Sequence, residues 1–294
     1  MRFYFTKMQG LGNDYVYLNC FDERMQQARK FPENRKKELA VRMSRRHTGI
    51  GADGLIFILP SERADCRMEM YNADGSRGAV CGNGIRCTAL YMVEKGIVKK
   101  KELSVETDSG IREVMVCRGA KAADGNCRIR VDMGGMENKG ERRFNLNGRT
   151  VPVQLVSAGN PHCVIFTEDI RCFPLEDAAG QIQLMPEFAG GINVEAAAVE
   201  LVAATGEKHI DMRVFERGSG ETMACGTGAC AVCAAAVWQG YCRYDENVEV
   251  RQPGGSVVTA YLADGRMMME GPAEFVYEGI WDDYDTLIQN DAGE

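Results

Sequence analysis

The sequence lacks any run of 18 or more apolar residues, so no helical membrane span is expected. It has no basic block longer than Lys99–Lys101, and its 35 Lys and Arg are outnumbered by 42 Asp and Glu, a formal charge of −7. That balance argues against nucleic-acid binding and against an anionic membrane surface. No Gly-Lys-Ser/Thr phosphate loop occurs, and Gly10-Leu11-Gly12 has Tyr15 where a dinucleotide fingerprint needs its third glycine. Gly218-Ser219-Gly220 has the wrong spacing for a serine hydrolase elbow. Cys230 and Cys233 are the one cysteine pair of metal-type spacing, and no second such pair completes a zinc site. No metal is therefore expected. Met1–Phe5 lead into a strand-like pattern rather than a charged start followed by an apolar run, and a cytoplasmic location is expected.

What the chain does have is 45% hydrophobic residues over 294 positions, enough core for two domains of roughly 150 residues. Twelve cysteines in a chain of this size and expected compartment read as reduced thiols rather than a disulfide framework.

An internal duplication organises the sequence. Cys81-Gly82-Asn83-Gly84 recurs 144 residues later as Cys225-Gly226-Thr227-Gly228, and each opens an apolar segment that stops 15 residues on, at Gly96 and Gly240. Val105–Gly110 matches Val250–Gly255 in pattern, and Gly12-Asn13 matches Gly159-Asn160 with an alternating run after each. Helices are expected over Glu33–Arg46, Ile85–Lys95 and Ala229–Gln239, the last two with glycine C-caps. Alternation at Ile129, Val131 and Met133, and β-rich runs at Val257–Leu262 and Glu274–Tyr277, read as strands. Helix 229–239 is apolar on every face and must be enclosed. The expected fold is mixed α+β or α/β: two pseudo-symmetric lobes, each with strands wrapped around a central buried helix. The lobes are placed at 1–122 and 123–273, divided in the polar stretch Gly119–Asn126. Residues 274–294 form a last segment open to either lobe.

A cysteine at a helix start sits beside unpaired N–H groups and the positive end of the helix dipole, which favour thiolate. Two equivalent thiols, rather than one thiol with one base, suit removal of a proton from one face of a carbon and its return to the other. That is racemisation or epimerisation next to a carboxylate. The backbone N–H groups of the two Gly-x-Gly turns can hold that carboxylate and its enolate-like carbanion. Arg217 suits bidentate carboxylate binding, while Asn13, Asn72, Asn160 and Asn193 offer donors and acceptors to an amino-acid head. Each asparagine alone is most simply a turn or cap residue; their matched placement in two repeats favours a site.

Gly10–Tyr15, Asn72–Ser76, Cys81–Cys87, Gly159–His162 and Glu216–Thr222 followed by Cys225–Gly228, in this order, closely resemble the diaminopimelate epimerase family over nearly the whole chain. The resemblance implies a two-lobed, cofactor-free enzyme that interconverts LL- and meso-2,6-diaminopimelate for lysine and peptidoglycan precursors. It implies Cys81 and Cys225 as the acid/base pair and His162 and Glu216 as residues that tune the thiols. It further implies substrate contacts from Asn13, Asn72, Asn160, Asn193, Glu216 and Arg217 and from the N–H groups of Gly82, Asn83, Gly226 and Thr227. Gly54 departs from those members that carry glutamine there, so that contact is absent or made by another residue. A homodimer is expected. His47 and His209 read as surface and structural, and Cys87, Cys163, Cys230 and Cys233 as core. Three alternatives remain open. One is a proline racemase, disfavoured by Glu216, Arg217 and the asparagines. Another is a phenazine-type isomerase, which does not use two thiols. The third is a thiol switch or metal-binding protein, for which Cys81 and Cys225 would matter only when oxidised or metallated.

Overall fold

A computed structural model describes residues 1–78, 81–117, 127–201 and 208–283. The stretch Gly119–Asn126, where the sequence places the division between lobes, lies outside them, as does most of the segment after 274. The described residues of Met1–Cys127 and Ala273–Glu294 form one compact unit, and Arg128–Pro272 form a second.

The first unit runs β1 (Arg2–Gly10), β2 (Asn13–Asn19), a 3-10 helix, α1 (Glu33–Ser44), β3 (Gly54–Leu59), β4 (Cys66–Asn72), β5 (Arg77–Gly78), α2 (Gly82–Glu94), β6 (Glu102–Thr107) and β7 (Gly110–Cys117). The chain continues through β8 (Cys127–Gly135), β9 (Glu137–Leu146), β10 (Arg149–Ser157), β11 (Pro161–Phe166), α3 (Leu175–Gln183) and β12 (Asn193–Leu201). It then forms β13 (Lys208–Glu216), β14 (Gly220–Thr222), α4 (Gly226–Trp238), β15 (Val248–Gln252), β16 (Gly255–Tyr261) and β17 (Arg266–Asp282). Among the described residues no helix is long and apolar enough to cross a membrane.

The duplication read from sequence is a duplication of strand pairing. In the first unit β1–β2 is antiparallel, β2–β3 parallel, β3–β4 and β4–β5 antiparallel, β4–β6 parallel and β6–β7 antiparallel. In the second unit β10–β11, β11–β12, β12–β13, β13–β14, β13–β15 and β15–β16 repeat that series in the same senses. Each β2–β3 or β11–β12 pair is parallel because a helix, α1 or α3, makes the crossover between its strands. Outer strands complete the pattern, β17 against β1 and β9 against β10.

The same chemistry builds each core. The crossover helix α1 buries Leu39 and Met43 with Phe3, Leu18, Leu55 and Phe57, and α3 buries Leu175 and Ile182 with Leu155, Ile165 and Val194. Burial of each such side chain contributes about 1.5–3 kcal/mol. On α4 every residue from Gly226 to Val237 is buried. Its alanines, cysteines and valines are small enough for β10–β13, β15 and β16 to close around it, so the helix without a polar face is enclosed. Helices α2 and α4 begin three residues earlier than the apolar pattern indicates, because Cys81 and Cys225 are themselves the N-caps. Gly96 and Gly240, with φ of 68° and 78°, end them one residue past the C-caps.

Candidate active site

In the first unit the two-residue turn Leu11–Gly12 joins β1 to β2 and sets Asn13 at the head of β2. Asp53 fixes the orientation of its amide: a carboxylate only accepts, so Asn13 Nδ2 donates to Asp53 Oδ2 at 2.9 Å and Oδ1 points the other way. Oδ1 then accepts from Asn83 Nδ2 at 3.2 Å and from the Cys81 thiol at 3.6 Å. Cys81 caps α2, and its sulfur accepts the Gly84 N–H at 3.3 Å. The N–H groups of Gly82 and Asn83, next in the first turn, have no acceptor within the helix. Behind them the fully buried Arg86 donates to Asn83 Oδ1 at 2.6 Å. Asn72 closes its own turn instead, donating from Nδ2 to Ser76 Oγ at 2.9 Å.

Gly54 holds no side chain because there is no room for one. A Cβ there would meet the Tyr71 carbonyl oxygen at 2.2 Å and the Tyr15 ring at 2.7 Å, so the ring of Tyr15 takes up that space.

The second unit repeats the helix start with different neighbours. Cys225 caps α4, its sulfur accepting the Gly228 N–H at 3.4 Å and lying 3.4 Å from Thr227 Oγ1. The Cys225 N–H donates to Gln252 Oε1 at 2.8 Å. At the end of β13 the Glu216 carboxyl accepts from Thr222 Oγ1 at 2.5 Å. Asn193 Oδ1 accepts the Arg217 N–H at 2.8 Å, while the Arg217 guanidinium donates to Gly190 O at 2.9 Å. His162 is entirely buried, with Nε2 3.1 Å from Asn160 Oδ1 and Nδ1 2.6 Å from Glu195 Oε1.

The electrostatics of Cys225 differ from the sequence expectation that a helix start favours thiolate. Burial, then the charges of Glu216 and Glu195, push its thiol well above the usual range, against the pull of Thr227 and the Gly228 N–H. Desolvation of the buried thiol outweighs a dipole worth roughly 0.3–2 kcal/mol. Burial likewise raises the Glu216 carboxyl.

The two networks gather Cys81, Asn13 and Asn83 in one unit, and Asn160 with His162 and Cys225 with Thr227 in the other. Of the remaining histidines, His47 is exposed and His209 lies in β13 with Asp211 at 3.8 Å. Cys87, Cys163, Cys230 and Cys233 are buried, and burial raises Cys87 to about 11 and Cys233 to about 12. Glu195 was not singled out in the sequence. Its one signal is a lone carboxylate inside the apolar stretch Val194–Val199. Among the described residues no cluster of three or more His, Cys, Asp and Glu is arranged to hold a metal ion.

Solved structures of the same fold include a phenazine biosynthesis protein of Bacillus anthracis, with a TM-score of 0.73 at 17% identity over 96% of this chain and 100% of that one. A probable proline racemase of Agrobacterium radiobacter aligns with a TM-score of 0.68 at 16% identity over 96% of this chain and 92% of that one. In sequence, the chain is 41% identical to the diaminopimelate epimerase of Bacillus licheniformis, covering 94% of this chain and 97% of that protein. It is 39% identical to the one from Bacillus subtilis, over 95% and 98%. The family model for diaminopimelate epimerase matches residues 5–138 and 154–276. With motifs, duplicated topology and full-length relatives in agreement, the chain belongs to the diaminopimelate epimerase family.

Proposed function

We propose that this protein interconverts LL- and meso-2,6-diaminopimelate by a two-base exchange between Cys81 and Cys225, without a cofactor. Family membership makes it an isomerase acting on amino acids. The observation that carries the mechanism is the equivalence of the two thiols, each the cap of a glycine-flanked helix at the same step of a duplicated topology.

In the proposed step one cysteine, as thiolate, takes the proton from Cα. An S–H bond forms, the C–H bond breaks, and its electron pair moves into the carboxylate-conjugated carbanion. The other cysteine gives its thiol proton to the opposite face and becomes the thiolate. The first-turn N–H groups of Gly82, Asn83, Gly226 and Thr227 hold the substrate carboxylate and the charge that develops on it. Asn13, Asn72, Asn160, Asn193, Glu216 and Arg217 receive the amino and carboxylate groups, and His162 and Glu216 tune the thiols. The proposal extends to a cytoplasmic place in the supply of lysine and peptidoglycan precursors, and to a homodimer.

Incubation of reduced, metal-free protein with LL-2,6-diaminopimelate in D₂O tests it. Meso product carrying deuterium at the inverted carbon is expected; no exchange with this substrate, or exchange with proline instead, overturns the assignment.

A further inference from the structure

Strand register matches the two units position by position. Tyr15 lies opposite Gly54 in the β2–β3 pair, as His162 lies opposite Asn193 in the β11–β12 pair. Two residues further along, Ile56 in the first unit therefore answers Glu195 in the second. The helix starts give an independent check. A Cβ on Gly84 would meet Ile56 Cδ1 at 2.9 Å, and a Cβ on Gly228 would meet Glu195 Oε1 at 2.9 Å. One side-chain slot against the thiol-capped turn is thus filled by a hydrocarbon in one unit and a carboxyl in the other. Asn72, at the end of β4, likewise answers Glu216 at the end of β13. On the helices the sense reverses, since the buried Arg86 stands on α2 where α4 carries Cys230.

Resting on the two-thiol reading above, we propose that Glu195 is a positioning residue that keeps Cys225 the protonated member of the pair, leaving Cys81 to supply the thiolate. Glu195 is fully buried, and its Oε2 has no hydrogen-bond partner among the described residues. Its Oε1 lies 2.6 Å from His162 Nδ1, and Asn160 Oδ1 lies 3.1 Å from Nε2, so the ring is held at both nitrogens. Glu195 thereby orients the imidazole and sets its carboxyl against the Cys225 turn, where it opposes a thiolate. Among the described residues the titratable groups facing Cys225 are Glu195 from β12 and Glu216 from β13, with His162 of β11 behind Glu195, while β15 presents the neutral Gln252. A thiolate there would be buried against the Glu195 and Glu216 carboxyls, and like charges at low dielectric disfavour ionisation. Beside Cys81 the same two positions are Ile56 and Asn72, which carry no charge; the Asp53 carboxylate stands behind Asn13, and the Arg86 guanidinium lies in the next turn of α2.

The proton inventory closes without an oxidant or reductant. In the direction that starts from Cys81, its thiolate gains the Cα proton and Cys225 loses its own to the opposite face. Exchange with water then returns a proton to Cys225 and removes one from Cys81.

Alkylation of the reduced, full-length protein with iodoacetamide, resolved peptide by peptide between about pH 6 and about pH 10, tests this. The pH of half-maximal rate is compared, so a difference in exposure between the thiols does not enter. Cys81 is expected to reach half-maximal rate at a lower pH than Cys225. Glu195→Gln, which keeps an acceptor for His162 but removes the charge, is expected to lower the Cys225 midpoint by about one pH unit or more and leave Cys81 unmoved. Glu195→Asp is expected to retain the high midpoint. A wild-type Cys225 that ionises at or below the pH of Cys81 overturns the proposal, as does a Glu195→Gln midpoint that does not move or moves equally for both thiols. Should Glu195→Gln not fold, the wild-type order of the two midpoints decides alone. Neither result depends on turnover, so a protein inactive on diaminopimelate would sink the functional reading and leave this one separately decided.

Discussion

Cys81 and Cys225 occupy one position in two helices, each thiol accepting the N–H of the glycine three residues on, at 3.3 and 3.4 Å. A sulfur in this position caps the helix, and the next two N–H groups have no acceptor within the helix. Helix capping and substrate binding therefore use adjacent groups of one turn. Gly82 and Gly226 carry no side chain at the first N–H of each turn, so a carboxylate can approach the backbone there.

The placement of Arg217 depends on a residue outside the motifs. Gly191 has a φ of 82°, and a Cβ on it would meet Arg217 Cδ at 2.0 Å. Gly191→Ala is expected to displace the guanidinium and raise KM for diaminopimelate roughly ten- to a hundredfold, the worth of one charge-assisted hydrogen bond, with little change in kcat. Steady-state kinetics check this. An unchanged KM would remove Arg217 from the binding set.

Alkaline stability follows from the buried thiols. Burial raises Cys20, Cys66 and Cys233 from 9.0 to about 12 and Cys87 to about 11. Each thiol stays protonated in the fold but ionises in the unfolded chain, so its contribution is whole below pH 9.0 and is lost as pH rises toward these values. The unfolding free energy from urea titrations is expected to stay flat from about pH 7 to about pH 9 and then fall, with the midpoint, by about 1 kcal/mol per pH unit per thiol. A midpoint that does not fall above about pH 9 contradicts the reduced, neutral state of these residues.

The last strand exposes apolar side chains, and the proposed homodimer would cover them. Val276, Tyr277 and Ile280 are 52%, 44% and 55% exposed on β17. Light scattering of the wild type is expected to give a dimer, and Val276→Lys with Ile280→Lys a monomer. A wild-type monomer contradicts the homodimer.

The duplication was legible because glycine-flanked cysteines and asparagines recur in order, and because a helix with no polar face must be enclosed. The earlier starts of α2 and α4 were not, since a cysteine cap has no place among the usual Ser, Thr, Asp and Asn signals. Glu195 escaped for a different reason. It lies 33 residues from His162 along the chain, and only the parallel register of β11 and β12 brings the two together. Tyr15 over Gly54 is hidden in the same way, as a contact between neighbouring strands.

The central claim is that both thiols act on one carbon. Wild type, Cys81→Ala and Cys225→Ala, all reduced and metal-free, would be incubated with LL-2,6-diaminopimelate in D₂O and followed by NMR for Cα exchange and meso product. Epimerisation in the wild type, lost by roughly a hundredfold or more in each variant, is the expected result. Epimerisation that survives removal of either cysteine would contradict the two-base account.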